Sequence, residues 1–186
     1  MTEPQVPIPN SQFPIQGRVW KYGDGVNTDV IFPGKYTYTL REPDEIAARA
    51  LEDLDPVFAQ QARPGDVIVA GRNWGNGSSR EQAVTCLKYK GIAAVVARSF
   101  ARIYFRNGIN QGLLLITCPE AVAAAQPGDT LEIDVPNSLI HLKGQTFSFP
   151  PLSPTALSII AAGGLIPHLR QKLGLTNTEA VSISDL

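Results

Sequence analysis

Three short apolar runs, Val67-Ile68-Val69-Ala70, Ile92 to Ala97 and Leu113 to Thr117, constrain this chain more than any other feature of its sequence. Each is bounded by turn formers and shows no alternation of polar with apolar residues, as expected for a strand covered on both faces. Between them lie two stretches with helical signals. Ser78 to Lys90 runs into Gly91, which suits a left-handed helix terminator, and Ser99 is placed to cap a second helix reaching about Asn107. Strand, helix, strand, helix, strand with short connections is the order of a parallel α/β core.

The flanks read differently. Gly17-Arg18-Val19-Trp20 begins a strand, followed by a loop of turn formers from Gly23 to Asp29. Pro43-Asp44-Glu45 opens a helix whose Ile46, Ala47, Ala50, Leu51 and Leu54 share one face until Asp55-Pro56 stops it. After Pro127-Gly128-Asp129 the segments Thr130 to Val135, Ser138 to Leu142 and Gln145 to Phe149 do alternate, which predicts an antiparallel meander with one wet face. Pro154 to Ala162 and Leu165 to Leu173 predict closing helices. The expected organisation is an N-terminal arm over 1–16 holding four prolines, one folded domain over 17–173, and a tail over 174–186.

Composition removes several functional classes. Sixteen Lys and Arg against seventeen Asp and Glu leave a formal charge of −1, without the basic excess that meets nucleic-acid phosphates. No apolar run approaches the ~18 residues of a membrane span, and the proline-rich N-terminus has no signal-peptide core, so the expected location is cytoplasmic. Cys86 and Cys118 stand far apart, and His141 and His168 are the two histidines. No cluster of thiolates or imidazoles exists to hold a zinc ion or an iron–sulfur cluster on this chain, and both cysteines are expected as buried, reduced thiols.

Chemistry concentrates in Gly71-Arg72-Asn73-Trp74-Gly75-Asn76-Gly77-Ser78-Ser79-Arg80-Glu81-Gln82-Ala83, between a buried strand and a helix start. Open α/β sheets tend to bind ligands at that position, and helix N–H groups there favour an anion. Three readings compete. Ser78 and Glu81 have the spacing of a capping box with no further role. Gly75-x-Gly77 begins a dinucleotide fingerprint, but Arg80 stands at its last glycine position. The third reading is a carboxylate site, with Arg80 as a bidentate clamp and a serine transferring a proton as an alkoxide held by backbone N–H groups, the helix end and Arg80. A hydrolase triad lacks support, since neither histidine has a context linking it to Ser78.

Gly75 to Ala83, Ala97-Arg98-Ser99-Phe100-Ala101-Arg102-Ile103, Arg106-Asn107 and Gln111-Gly112-Leu113 together resemble the swivel domain of the aconitase superfamily, in the form of the separate small subunits of 3-isopropylmalate dehydratase. Gly23-Asp24 through Ile31, Pro33-Gly34-Lys35-Tyr36 and Ala161-Ala162-Gly163-Gly164-Leu165 match the family's motifs in order, so the likeness runs from about Gly17 to Leu173. The resemblance implies an α/β fold of three layers, a swivelling β/β/α domain of the aconitase C-terminal type, with a parallel βαβ core and an antiparallel meander. It implies a hydro-lyase of leucine biosynthesis, inactive alone, that dehydrates and rehydrates 2-isopropylmalate to 3-isopropylmalate. The 4Fe-4S cluster of such enzymes sits on the large subunit, the implied partner, where an open iron takes the hydroxyl and a carboxylate of the hydroxy-dicarboxylate substrate.

Carried over residue by residue, the resemblance implies that Ser78 is the proton-transferring serine and that Ser79 and Arg80 touch substrate. Thr28 and Asp29 match a motif that supports the site from the subunit boundary. The loop from Tyr36 to Pro43 departs from the family pattern by one added residue, and Arg41 within it is the candidate for a second carboxylate contact, with a solvated surface arginine as the competing reading. Asn76 and Gln82 replace other residues common at those positions. Arg102 and Arg106 read as loop supports, and Trp74 as a packing anchor. Two alternatives remain at this point: a homoaconitase-type small subunit, and a non-catalytic anion-binding regulatory module.

Overall fold

The computed structural model describes residues 14–175, so most of the expected arm and tail lie outside the described residues. Seven strands form one hydrogen-bonded ladder in the order β4-β3-β2-β1-β5-β6-β7. β1 (Ile15–Lys21) is the strand that both halves share, pairing in parallel with β2 (Val67–Ala70) and antiparallel with β5 (Thr130–Asp134). β2, β3 (Ala94–Ala97) and β4 (Leu114–Thr117) continue the parallel half, while β6 (Leu139–Leu142) and β7 (Gln145–Ser148) continue the antiparallel half. β1 starts two residues before the strand start read from sequence, because Ile15 and Gln16 pair with Ile133 and Glu132.

The layers follow from which way alternate residues point. Ile68, Ala70, Val95, Ala97 and Leu115 enter a core shared with the helices, including Ala83, Val84 and Leu87. Their neighbours Val67, Val69, Ala94, Val96, Leu114 and Ile116 enter a second core with Leu131, Ile133, Ile140 and Leu142 of the meander. The continuous sheet therefore curls, so that its antiparallel half covers one face of the parallel half, joined there by Ala121 and Val122, while the helices carrying Ile46, Phe58, Ala83 and Tyr104 cover the other. This is the three-layer β/β/α arrangement, and it explains why the parallel strands are apolar on both faces and the meander on one.

Eight α-helices surround the sheet among the described residues: α1 (Thr28–Ile31), α2 (Pro43–Ala47), α3 (Pro56–Gln61), α4 (Gln82–Tyr89), α5 (Arg102–Gln111), α6 (Pro119–Ala124), α7 (Pro154–Ala161) and α8 (Leu165–Lys172). None is long and apolar enough to cross a membrane. The helix expected to reach Leu54 ends at Ala47 and gives way to turns. Asp55-Pro56 does stop that run, but it also starts α3: the Asp55 carboxylate accepts from the Val57 and Phe58 N–H groups, and Pro56 occupies the first helical turn, where its missing N–H costs nothing.

Candidate active site

β1, β2 and β3 lie side by side and in parallel, so the loops leaving their C-terminal ends meet. The loop after β2 is tied to both neighbours. Toward the β1 loop, the Gly25 N–H donates to the Arg72 carbonyl, the Gly75 N–H to the Val26 carbonyl and the Thr28 N–H to the Asn76 carbonyl, each at 2.8 Å. Asp24 Oδ1 adds an acceptor for the Arg72 N–H at 2.6 Å. Toward the β3 loop, the Trp74 N–H donates to the Ser99 carbonyl at 3.0 Å and the Ala101 N–H to the Trp74 carbonyl at 2.9 Å. Ser99 Oγ accepts from the Asn73 N–H at 2.9 Å. Ser99 therefore pins the glycine loop, and α5 starts two residues later than a Ser99 cap would place it, with Ala101 as its N-cap.

The same framework changes the reading of Ser78. Helix α4 begins at Gln82, its N-cap Glu81 already has helical dihedrals, and no side chain caps it. The capping box expected from Ser78 and Glu81 does not form. Ser78 lies outside the helix on an exposed stretch with Ser79, and its Oγ is 3.3 Å from Oγ1 of the buried Thr28. A tight turn, in which the Arg80 N–H donates to the Ser78 carbonyl at 2.9 Å, brings Arg80 back toward the β1 loop. There its guanidinium forms an ion pair with Asp29, the arginine side chain 27% and the aspartate 56% exposed. Gly34 packs against this pair: a Cβ at that residue would lie 2.8 Å from Arg80 Nη1 and 3.2 Å from Asp29 Oδ1.

Ser78, Ser79, Arg80, Thr28 and Asp29 are thus gathered from segments about fifty residues apart. Arg41 is exposed just before α2, and none of the ion pairs among the described residues includes it. His141, on the meander, bonds Thr146 Oγ1 through Nδ1 at 2.9 Å, on the half of the sheet that does not carry the glycine loop.

The residues of this chain do not fit an iron–sulfur cluster. Cys86 belongs to the helix-side core, where its Sγ donates to the Ile31 carbonyl, and Cys118 to the core on the opposite face of the sheet. Burial pushes both thiols above their ordinary pKa, which disfavours the thiolate a metal needs. Among the described residues no group of three His, Cys, Asp or Glu side chains gathers.

Comparison with known proteins places this geometry. A family profile described as the aconitase C-terminal domain matches residues 27–121. The 3-isopropylmalate dehydratase small subunit of Nautilia profundicola is 46% identical over 161 residues, covering 86% of this chain and 96% of the relative. The small subunit of the same name from Aquifex aeolicus is 44% identical over 165 residues, covering 87% and 98%. The chain belongs to the 3-isopropylmalate dehydratase small-subunit family. A crystal structure described as 3-isopropylmalate dehydratase from Methanocaldococcus jannaschii superposes with a TM-score of 0.82 at 43% identity, covering 87% of this chain and 96% of that one.

Within this small-subunit fold, two features of the site escaped sequence reasoning. Gly34 is legible in the sequence only as a member of the Pro33-Gly34-Lys35-Tyr36 motif, and nothing local links it to Arg80. Tyr104 carried no signal beyond a helical position, yet it is among the largest fully buried side chains and lies directly beneath the glycine loop. Trp74, read as a packing anchor, is 1% exposed and packs edge-to-face on Tyr104 with ring centroids 6.5 Å apart.

Proposed function

We propose that Ser78 is the proton-transfer group of this hydro-lyase and that Arg80 holds a substrate carboxylate beside it. The observation that carries the proposal is that an exposed serine hydroxyl, unused by any helix cap, meets Thr28 while the guanidinium of Arg80, two residues on in the same turn, pairs with the adjacent Asp29. A serine hydroxyl is a weak base, so its oxygen needs donors and positive charge to hold the alkoxide character required for taking a proton. Ser78 precedes α4 by four residues, so its support is the Thr28 hydroxyl at 3.3 Å and, in this reading, the positive charge of Arg80.

In this reading the Ser78 oxygen takes the proton from C3 of 2-isopropylmalate, next to a carboxylate, as the C2 hydroxyl departs as water; water then adds to the unsaturated intermediate in the opposite sense, hydroxyl to C3 and proton to C2, yielding 3-isopropylmalate. Arg80 exchanges its ion pair with Asp29 for the substrate carboxylate, and Asp29 keeps the guanidinium directed until substrate arrives. Thr28 supports the site at the subunit boundary, Ser79 touches the substrate beside Arg80, and Arg41 reaches the second carboxylate once the loop is covered. The family resemblance implies a 4Fe-4S cluster on the large subunit, and the placing of Cys86 and Cys118 in separate cores supports this reading. The open position of Ser78 and Asp29 fits a site that a second polypeptide closes, excluding water from the unsaturated intermediate.

The test is the Ser78→Ala chain reconstituted with the large subunit under anaerobic conditions, with isomerisation of 2-isopropylmalate as the readout. Turnover should fall by about 10²–10⁴ with assembly and substrate binding retained. Near-normal turnover would remove the base assignment.

A further inference from the structure

We infer that Tyr104 is a positioning residue for the reaction: its one side chain clamps both ends of the Gly75–Ala83 segment that carries Ser78, Ser79 and Arg80. At the first end, Gly75 lies directly on the phenol ring. A Cβ built at Gly75 would fall 2.1 Å from Tyr104 Cγ and 2.3 Å from Cδ2, so only a glycine with its φ of +76° lets the backbone approach so closely. At the second end, Tyr104 Oη donates to the Ala83 carbonyl in the first turn of α4 at 3.0 Å. Between these anchors no regular structure holds residues 77–80.

The clamp is itself rigid. Tyr104 sits on α5, a ten-residue helix, is 2% exposed, and receives Trp74 edge-on from the neighbouring stretch of the glycine loop. Burial raises the phenol pKa well above its ordinary value, which keeps the hydroxyl protonated as a donor to the Ala83 carbonyl. Removing the hydroxyl while keeping the ring frees one end of the segment and leaves the core filled. Misplacing a reacting group by about 1 Å costs up to about a hundredfold in rate, and a segment released at one of its two ends should lose about half of that on a logarithmic scale, about tenfold.

This inference rests on the assignment of Ser78 as the proton-transfer group, and the experiment separates the two. Tyr104→Phe, Ser78→Ala and the double variant are each assembled with the large subunit and compared for kcat, KM, melting temperature and amide exchange over residues 76–82. Tyr104→Phe should lower kcat about tenfold, change KM by less, and speed exchange in 76–82 while the strands keep their protection. On the Ser78→Ala background the same change should add less than about twofold, because both act through one hydroxyl. A purely structural role would instead lower the melting temperature and leave kcat per assembled complex unchanged, on the parent and on the Ser78→Ala background alike. That result, or failure of Tyr104→Phe to assemble at all, overturns the inference and leaves the Ser78 assignment standing. Unchanged turnover in Ser78→Ala overturns the assignment and the inference with it.

Discussion

Replacing Gly34 by alanine separates stability from substrate binding. Gly34 opens a 3-10 turn over Gly34–Tyr36, and its φ lies outside the left-handed region, so alanine fits the backbone without strain. Alanine also reduces the freedom of the unfolded chain, which stabilises by about 0.4–1 kcal/mol at compatible positions. Its Cβ, however, would stand 2.8 Å from Arg80 Nη1 and 3.2 Å from Nη2. The flexible guanidinium is the group that yields, retreating by about 0.6 Å to reach ordinary contact distance. Scaled against a loss of up to about a hundredfold per 1 Å, this displacement predicts about a tenfold fall in kcat/KM, equivalent to about 1.4 kcal/mol. A carboxylate clamp acts on ground and transition states alike, so most of the loss should appear as a raised KM. The assay is steady-state isomerisation by the reconstituted heteromer over a range of substrate concentrations, with thermal melting of the isolated chain alongside. A Gly34→Ala chain that melts at or above the parent temperature yet keeps kcat/KM within about twofold would refute the placement of Arg80 as a substrate contact. A large drop in melting temperature would refute the backbone argument instead.

Two further outcomes follow from the core. Asp66 is 6% exposed and its Oδ2 accepts from Arg18 Nη2, Trp20 Nε1 and the Arg63 N–H. Burial alone would raise its pKa, but these donors outweigh it and hold the carboxyl below the ordinary value. Asp66→Asn should cost about 1–2 kcal/mol near neutral pH, a figure discounted because Arg18 is partly exposed. Since the folded pKa is depressed, that stability is present above the unfolded pKa of about 3.9 and is lost as pH falls through the folded value; the gap between variant and parent in denaturant titrations should shrink below about pH 4, and a gap independent of acid would contradict the carboxylate's role. Cys86 and Cys118, buried and with raised pKa values, should resist a thiol-specific chromogenic reagent in the native chain and react together on unfolding. Rapid labelling of either before unfolding would show that its core opens locally.

Much of the architecture was written in local pattern. The two-sided apolar runs at Val67–Ala70, Ile92 to Ala97 and Leu113 to Thr117 and the alternating segments after Asp129 announced a buried parallel half and a half-wet antiparallel half, because burial on one face or two is decided residue by residue. Local signals misled where one motif serves two ends. Asp55-Pro56 closes one run and caps the next, and Ser78 with Glu81 has a cap's spacing but not its geometry. Ser99 is a further case, spending its hydroxyl on the Asn73 N–H rather than on its own helix.

From sequence alone, the chain's strands, the glycine-rich loop between the first buried strand and its helix, and the absence of a thiol cluster on this polypeptide were already determined, since each depends on residue type and short spacing. Only the tertiary structure decided that Thr28, Asp29 and Gly34 meet Ser78 and Arg80, and that Tyr104 lies under Gly75. Those contacts join residues about thirty to fifty positions apart, and they exist because β2 was placed between β1 and β3 in the sheet order. That order is set by how the two cores fill together, a global packing balance that no single stretch of the chain encodes.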